Sequence, residues 1–266
     1  QPRGVVSLEG RFHFDGRKQW RTEDLVMTAR DCSVRHKAFP YLVRGVNGIL
    51  KQEGNVLNCS FNGIAGQHPA HVNGKMINPG SNSTAEFQIA ADRIPIDQKL
   101  LEALPEPGKG VVRALGLQGF VDARYTLSKP DPHSRDWHNK CSLALHQGMV
   151  HYEGFPYRIS EFSGKASFDS DTQRWDFQQL SGRHGLGQIQ ASGWFLQGGE
   201  HPRLSMRITG EDVALDQELE LALPSYLQGP WKDLGAEGKG RFISTIDWVP
   251  GQDPVIVLPE IAIVNG

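Results

Sequence analysis

Gln188-Ile189-Gln190-Ala191-Ser192-Gly193-Trp194-Phe195 decides the fold class. Ile189, Ala191, Gly193 and Phe195 fall on one side of an extended chain. Gln188, Gln190, Ser192 and a single tryptophan fall on the other. Side chains alternate across a strand with period two, so this pattern predicts a strand with one dry face and one wet face. The same pattern surrounds it. Phe162, Gly164, Ala166 and Phe168 oppose Glu161, Ser163, Lys165 and Ser167, and Leu204, Met206 and Ile208 oppose Arg203, Ser205, Arg207 and Thr209. Near the start, Val6, Leu8, Gly10, Phe12 and Phe14 oppose Ser7, Glu9, Arg11 and His13. Half-buried antiparallel strands read this way. Polar clusters such as Gln52-Glu53-Gly54-Asn55 and Asp169-Ser170-Asp171 supply the turns between them.

The chain repeats itself. Phe39-Pro40-Tyr41 returns 116 residues later as Phe155-Pro156-Tyr157, and Gly48/Gly164, Phe61/Phe177 and His68/His184 keep that offset. After a small insertion the offset becomes 119, as in Asp97/Asp216 and Ala103-Leu104-Pro105/Ala222-Leu223-Pro224. Trp20 matches Trp137, which predicts a pair of core anchors. The expected organisation is the tail of one repeat (1–19), repeat A (20–136), repeat B (137–247) and the start of a further repeat (248–266). Ser128 to Asp136 reads as a surface connection between A and B. In each repeat an Asp is followed by good helix formers and then Pro. This predicts one short helix per repeat, capped by Asp97 or Asp216. The apolar runs at both ends predict a piece of a longer protein, with any targeting or membrane segment outside it.

Composition narrows the function classes. The 266 residues carry 28 Lys+Arg and 30 Asp+Glu, a formal charge of −2, with no basic cluster, which argues against a nucleic-acid binder. No stretch approaches the ~18 apolar residues of a membrane span. Three cysteines make no even framework. Small buried thiols are expected, with a Cys32–Cys59 pair left open. No P-loop, dinucleotide fingerprint, nucleophile elbow or zinc-protease motif occurs. His68-Pro69-Ala70-His71 has metal-like spacing but reads as a surface turn. The expectation is no catalytic residue, no metal and no cofactor.

The informative motif is apolar-x-Gly-x-apolar in mid-strand: Leu8/Gly10/Phe12, Val46/Gly48/Leu50, Val72/Gly74/Met76, Leu117/Gly119/Val121, Phe162/Gly164/Ala166 and Ala191/Gly193/Phe195. Gly inside a strand marks a bend, a bulge or a close approach. Two readings stay open here. The glycines curve the sheet so that a helix packs on it, or they leave the dry face hollow for a greasy guest. On the second reading the lining residues are Phe162, Phe168, Trp175, Phe177, Ile189, Phe195, Leu204, Met206 and Ile208, with their counterparts in repeat A. A packed structural spacer and a carbohydrate-binding module are the alternatives. The latter would use Trp175, Trp194, Trp231 and Trp248 as a stacking platform. The fold expected is mostly β: a curved, elongated antiparallel sheet of tandem repeats with an open groove rather than a closed barrel.

Phe155-Pro156-Tyr157-Arg158-Ile159-Ser160-Glu161-Phe162-Ser163-Gly164, then Leu180-Ser181-Gly182-Arg183-His184-Gly185 and Ala191-Ser192-Gly193, resembles the AsmA-like (TamB-like) repeat proteins of the diderm bacterial envelope. Repeat A carries a looser copy. The resemblance implies a periplasmic, non-catalytic domain whose hydrophobic groove binds lipid acyl chains for transfer between membranes or for outer-membrane homeostasis. It also implies a parent protein anchored in the inner membrane.

Overall fold

The computed structural model describes residues 3–14, 16, 20–37, 39–198, 202–223, 225–235 and 237–264. The side chains of Phe12, Trp20, Arg21, Thr22, Glu23, Tyr226, Leu234 and Val264 lie outside that description, and with them the anchor role expected of Trp20.

The chain opens with β1 (Arg3–Phe14). Then come β2 (Trp20–Arg35), β3 (Leu42–Glu53), β4 (Val56–Ala65), β5 (His68–Ile77), β6 (Thr84–Pro95), α1 (Gln98–Ala103), α2 (Gly108–Ala114) and β7 (Gln118–Lys129). The same order follows: β8 (His138–Tyr152), β9 (Phe155–Asp169), β10 (Arg174–His184), β11 (Gly187–Leu196), β12 (Arg203–Ala214), α3 (Gln217–Ala222), α4 (Ser225–Leu234) and β13 (Lys239–Trp248), with β14 (Val255–Val264) last. The duplication is therefore one of elements: five strands, two short helices, one strand, twice over. Among the described residues the fourteen strands form one antiparallel sheet, paired in chain order and not closed into a barrel. Neighbours in sequence are neighbours in the sheet, joined by short connections except where α1–α2 and α3–α4 link β6 to β7 and β12 to β13.

Each repeat has two helices, where one was expected. Gly108-Lys109-Gly110 opens α2, and Gly229-Pro230 lies inside α4. These residues read locally as helix breakers, which hid both helices. The capping aspartates stand as expected: Asp97 Oδ1 accepts from Leu100 N–H and Asp216 Oδ1 from Leu219 N–H, both at 3.0 Å.

By contacts the chain divides into two compact units. The first is Gln1–Ile94 with Glu102–Leu104 and Asp122–Ser142. The second is Pro95–Leu101, Pro105–Val121 and Leu143–Gly266. In the first, Tyr41, Ile94 and Ala103 are buried; in the second, their repeat counterparts Tyr157, Val213 and Ala222 are buried and pack together, joined by Phe155, Ile159, Ile189, Leu219 and Phe242.

Other expectations are corrected. Trp137 is 39% exposed, lying against the Phe87 ring at 6.5 Å, so it anchors no core. His68 to His71 belongs to β5, after a turn at Gly66 and Gln67. Residues three apart on a strand face opposite sides, which rules out a shared metal. Ser128 and Lys129 belong to β7, and Lys129 is buried, its Nζ donating to the Ser81 carbonyl at 3.3 Å. All three cysteines are free.

Candidate functional site: the apolar face of the second unit

Residues paired across antiparallel strands share a face. Following the register through β9–β14 gives four cross-strand rows on one side of the sheet. The first runs Phe168, Trp175, Phe195, Leu204, Trp248. The second runs Ala166, Phe177, Gly193, Met206, Ile246, Ile256. The third is Leu180, Ala191, Ile208, Ser244, and the fourth Gly182, Ile189, Gly210, Phe242, Ile261. Phe162 joins this face, because a Cβ on Gly182 would meet its ring and Ile159. All nine residues singled out from the sequence thus lie on one face of one unit, each partly buried.

Trp248, Ile246 and Phe242 complete the rows and were missed. Their signal was present in the alternation Phe242, Ser244, Ile246, Trp248, but the repeat boundary expected at 247/248 cut it.

The phase of this face depends on β-bulges. Between Phe177 and Leu180 the partner strand advances from Gly193 only to Ala191, so β10 holds one extra residue. Gln179 absorbs it at φ +53°. Laid out as regular strand, the three steps from Phe177 to Leu180 would turn Leu180 to water. Glu161 does the same for β9 at φ +51°.

The glycines do not leave holes. A Cβ on Gly193 would strike the Ser205 carbonyl and the Met206 sulfur, and one on Gly210 the Phe242 ring. Gly193, Gly210 and Gly164 are covered by Met206, Phe242 and Leu180 from the adjacent strand, the cross-strand rescue seen for glycine in sheets. The first unit repeats the device, with Phe87 laid over Gly74 and Phe61 over Gly48. Its face carries the rows Leu8, Met27, Leu50, Cys59, Gly74, Phe87 and Val6, Ala29, Gly48, Phe61, Val72, Ile89.

What the face lacks is a cover. Among the described residues no second sheet lies on it. The fourth-row end of the second unit is closed, where α3 packs on β9 with Val213 2%, Ala222 3% and Tyr157 4% exposed. The whole chain exposes 17309 Å², against roughly 11,500 Å² for a compact monomer of its mass.

The opposite face is polar. Ser167, Asp176, Trp194, Ser205 and Asp247 share a row, with the Trp194 ring between the guanidinium groups of Arg174 and Arg203 at 5.2 and 5.9 Å. Trp194 therefore stands across the sheet from Trp175 and Trp248, while Trp231 sits on α4. Four tryptophans so divided make no common stacking strip. Among the described residues no group of His, Cys, Asp and Glu has the makings of a metal site, and no helix is long and apolar enough to cross a membrane. Comparison with protein-family models, curated proteins and solved structures gives no match.

Proposed function

We propose that the apolar face is a non-catalytic binding surface for lipid acyl chains, working in lipid transfer or outer-membrane maintenance in a diderm periplasm. One observation carries the reading: aromatic and aliphatic rows continue from strand to strand, and among the described residues no second sheet lies over them. The nine side chains are half-buried by their neighbours in the sheet; a large apolar side chain left wholly in water would forgo roughly 1.5–3 kcal/mol, and a contiguous apolar face without a cover marks a binding surface. Acyl chains meet that need by burial alone, and their delivery requires no covalent step. The resemblance to AsmA-like repeats supports the compartment and an inner-membrane anchor on the parent protein.

The test is to purify the chain, extract it with organic solvent and identify the lipids by mass spectrometry. Met206→Glu places a charge in the second row, away from the α3 end, and should lower retained lipid by at least tenfold while the far-UV spectrum is unchanged. Ile189→Glu should do the same with a greater loss of stability, because Ile189 also packs on the Tyr157 cluster. A native chain that carries no lipid and retains none when loaded from vesicles is a spacer rather than a carrier.

A further inference from the structure

His184 ends β10, next to the end of the face that α3 closes. Its side chain is 12% exposed. Nδ1 lies 2.7 Å from the carbonyl oxygen of Arg158 on β9, and since a carbonyl only accepts, Nδ1 bears the hydrogen. Nε2 lies 3.1 Å from Oε2 of Glu218 in the first turn of α3, and a carboxylate likewise only accepts. A neutral imidazole has a single N–H and serves one of these acceptors; an imidazolium serves both. The ring cannot turn away freely, because it stacks on Tyr157 with centroids 3.8 Å apart and planes 22° apart.

We propose that His184 is a proton-operated latch: the imidazolium ties α3 to β9 through Glu218 and the Arg158 carbonyl, and loss of a proton frees the α3 side. The surrounding groups leave Glu218 as the partner. From β9 the ring meets Tyr157, whose buried hydroxyl has no hydrogen-bond partner and lies in the field of Asp216 and Glu218. On α3, Asp216 is engaged by Leu219 N–H and Glu220 by Lys232 of α4 at 3.3 Å. On β10, Arg183 pairs with Glu161 at 3.8 Å. Repeat A is a built-in contrast. Ala65 closes β4 where His184 closes β10, and Lys99 stands where Glu218 does, so neither half of the pair is present there. The latch belongs to repeat B and does not depend on what occupies the apolar face.

Hydrogen exchange on the whole chain between pH 5 and pH 8, corrected for intrinsic rates, tests it. Amides of α3 should be about threefold better protected on the acid side, a modest gain because Glu218 is largely exposed, while α1 stays flat. Glu218→Gln should abolish the acid gain and leave the protection at pH 8. An acid gain that survives Glu218→Gln, or native α3 protection that ignores pH, overturns the latch. Imidazole nitrogen-15 shifts need no variant: both nitrogens should be protonated at the acid end and Nδ1 alone at the alkaline end. An Nε2–H tautomer at the alkaline end would refute the geometry.

Discussion

Gly193 has no room for a methyl group. In a strand, Gly→Ala would normally recover about 0.5–1 kcal/mol. Here the new Cβ meets a backbone oxygen and the Met206 sulfur, so Gly193→Ala should lose about 1–3 kcal/mol in urea melts. Met206→Ala should rescue it only in part, since the Ser205 carbonyl stays. Glu161 makes the converse case. It holds a left-handed φ of +51°, and its counterpart in repeat A is Gly45 at φ +57°. Glu161→Gly should leave stability unchanged or raise it by up to about 1 kcal/mol, whereas Glu161→Val should cost about 1–2 kcal/mol. The thiol of Cys141 is pushed up to about 11 by burial. With its folded value above its unfolded one, stability is lost as pH rises from about 9 towards 11. Cys141→Ala should flatten a decline of up to about 2 kcal/mol over that range, read by denaturant melts at fixed pH. At this scale the apolar glycines were legible from spacing alone. The left-handed bulge residues Asp31, Glu161, Gln179 and Asp212 were not, because Glu and Gln carry no local sign of positive φ and Asp only a weak one.

The elements were legible where period two was strong, and the capping aspartates fixed two helix starts. α2 and α4 escaped because glycine and proline dominate their local reading, so tertiary setting outweighs propensity there. Removing a cap tests what holds the closed end. Asp216→Ala should cost about 1 kcal/mol and raise exchange at Leu219 and Glu220 in α3. It should leave the β10–β11 amides nearly as protected as before, because those strands hold their own ladder and register. The apolar face was legible as an alternation. Its fourth-row closure was not, since no periodicity announces that Tyr157 and Val213 meet a helix.

At the level of the molecule, exposed area should set the response to denaturant. A chain of 29.5 kDa exposes roughly 43,000 Å² unfolded. Folding to 17309 Å² hides about 60% of that, the fraction typical of a domain of about 60 residues. The urea m-value should therefore be about four-fifths of that of a compact protein of equal length, and a hydrophobic dye should bind the native state under conditions where unfolding is still cooperative. An m-value at the compact size, with no dye bound, would mean that the face is covered in solution. The sequence-level arithmetic of charge and composition could not foresee this, because the same apolar fraction fills a sandwich or paves one side of a single layer.

The bulges carry one more consequence, for the reading frame of the sheet. Elsewhere in a strand, deleting one residue would turn everything beyond it inside out, sending Trp and Ile to water and Ser and Arg into the rows. At Gln179 a deletion would only restore plain alternation between Phe177 and Leu180. The chain thus has a few stations where it can shorten by one residue and keep both sides of its ribbon in place.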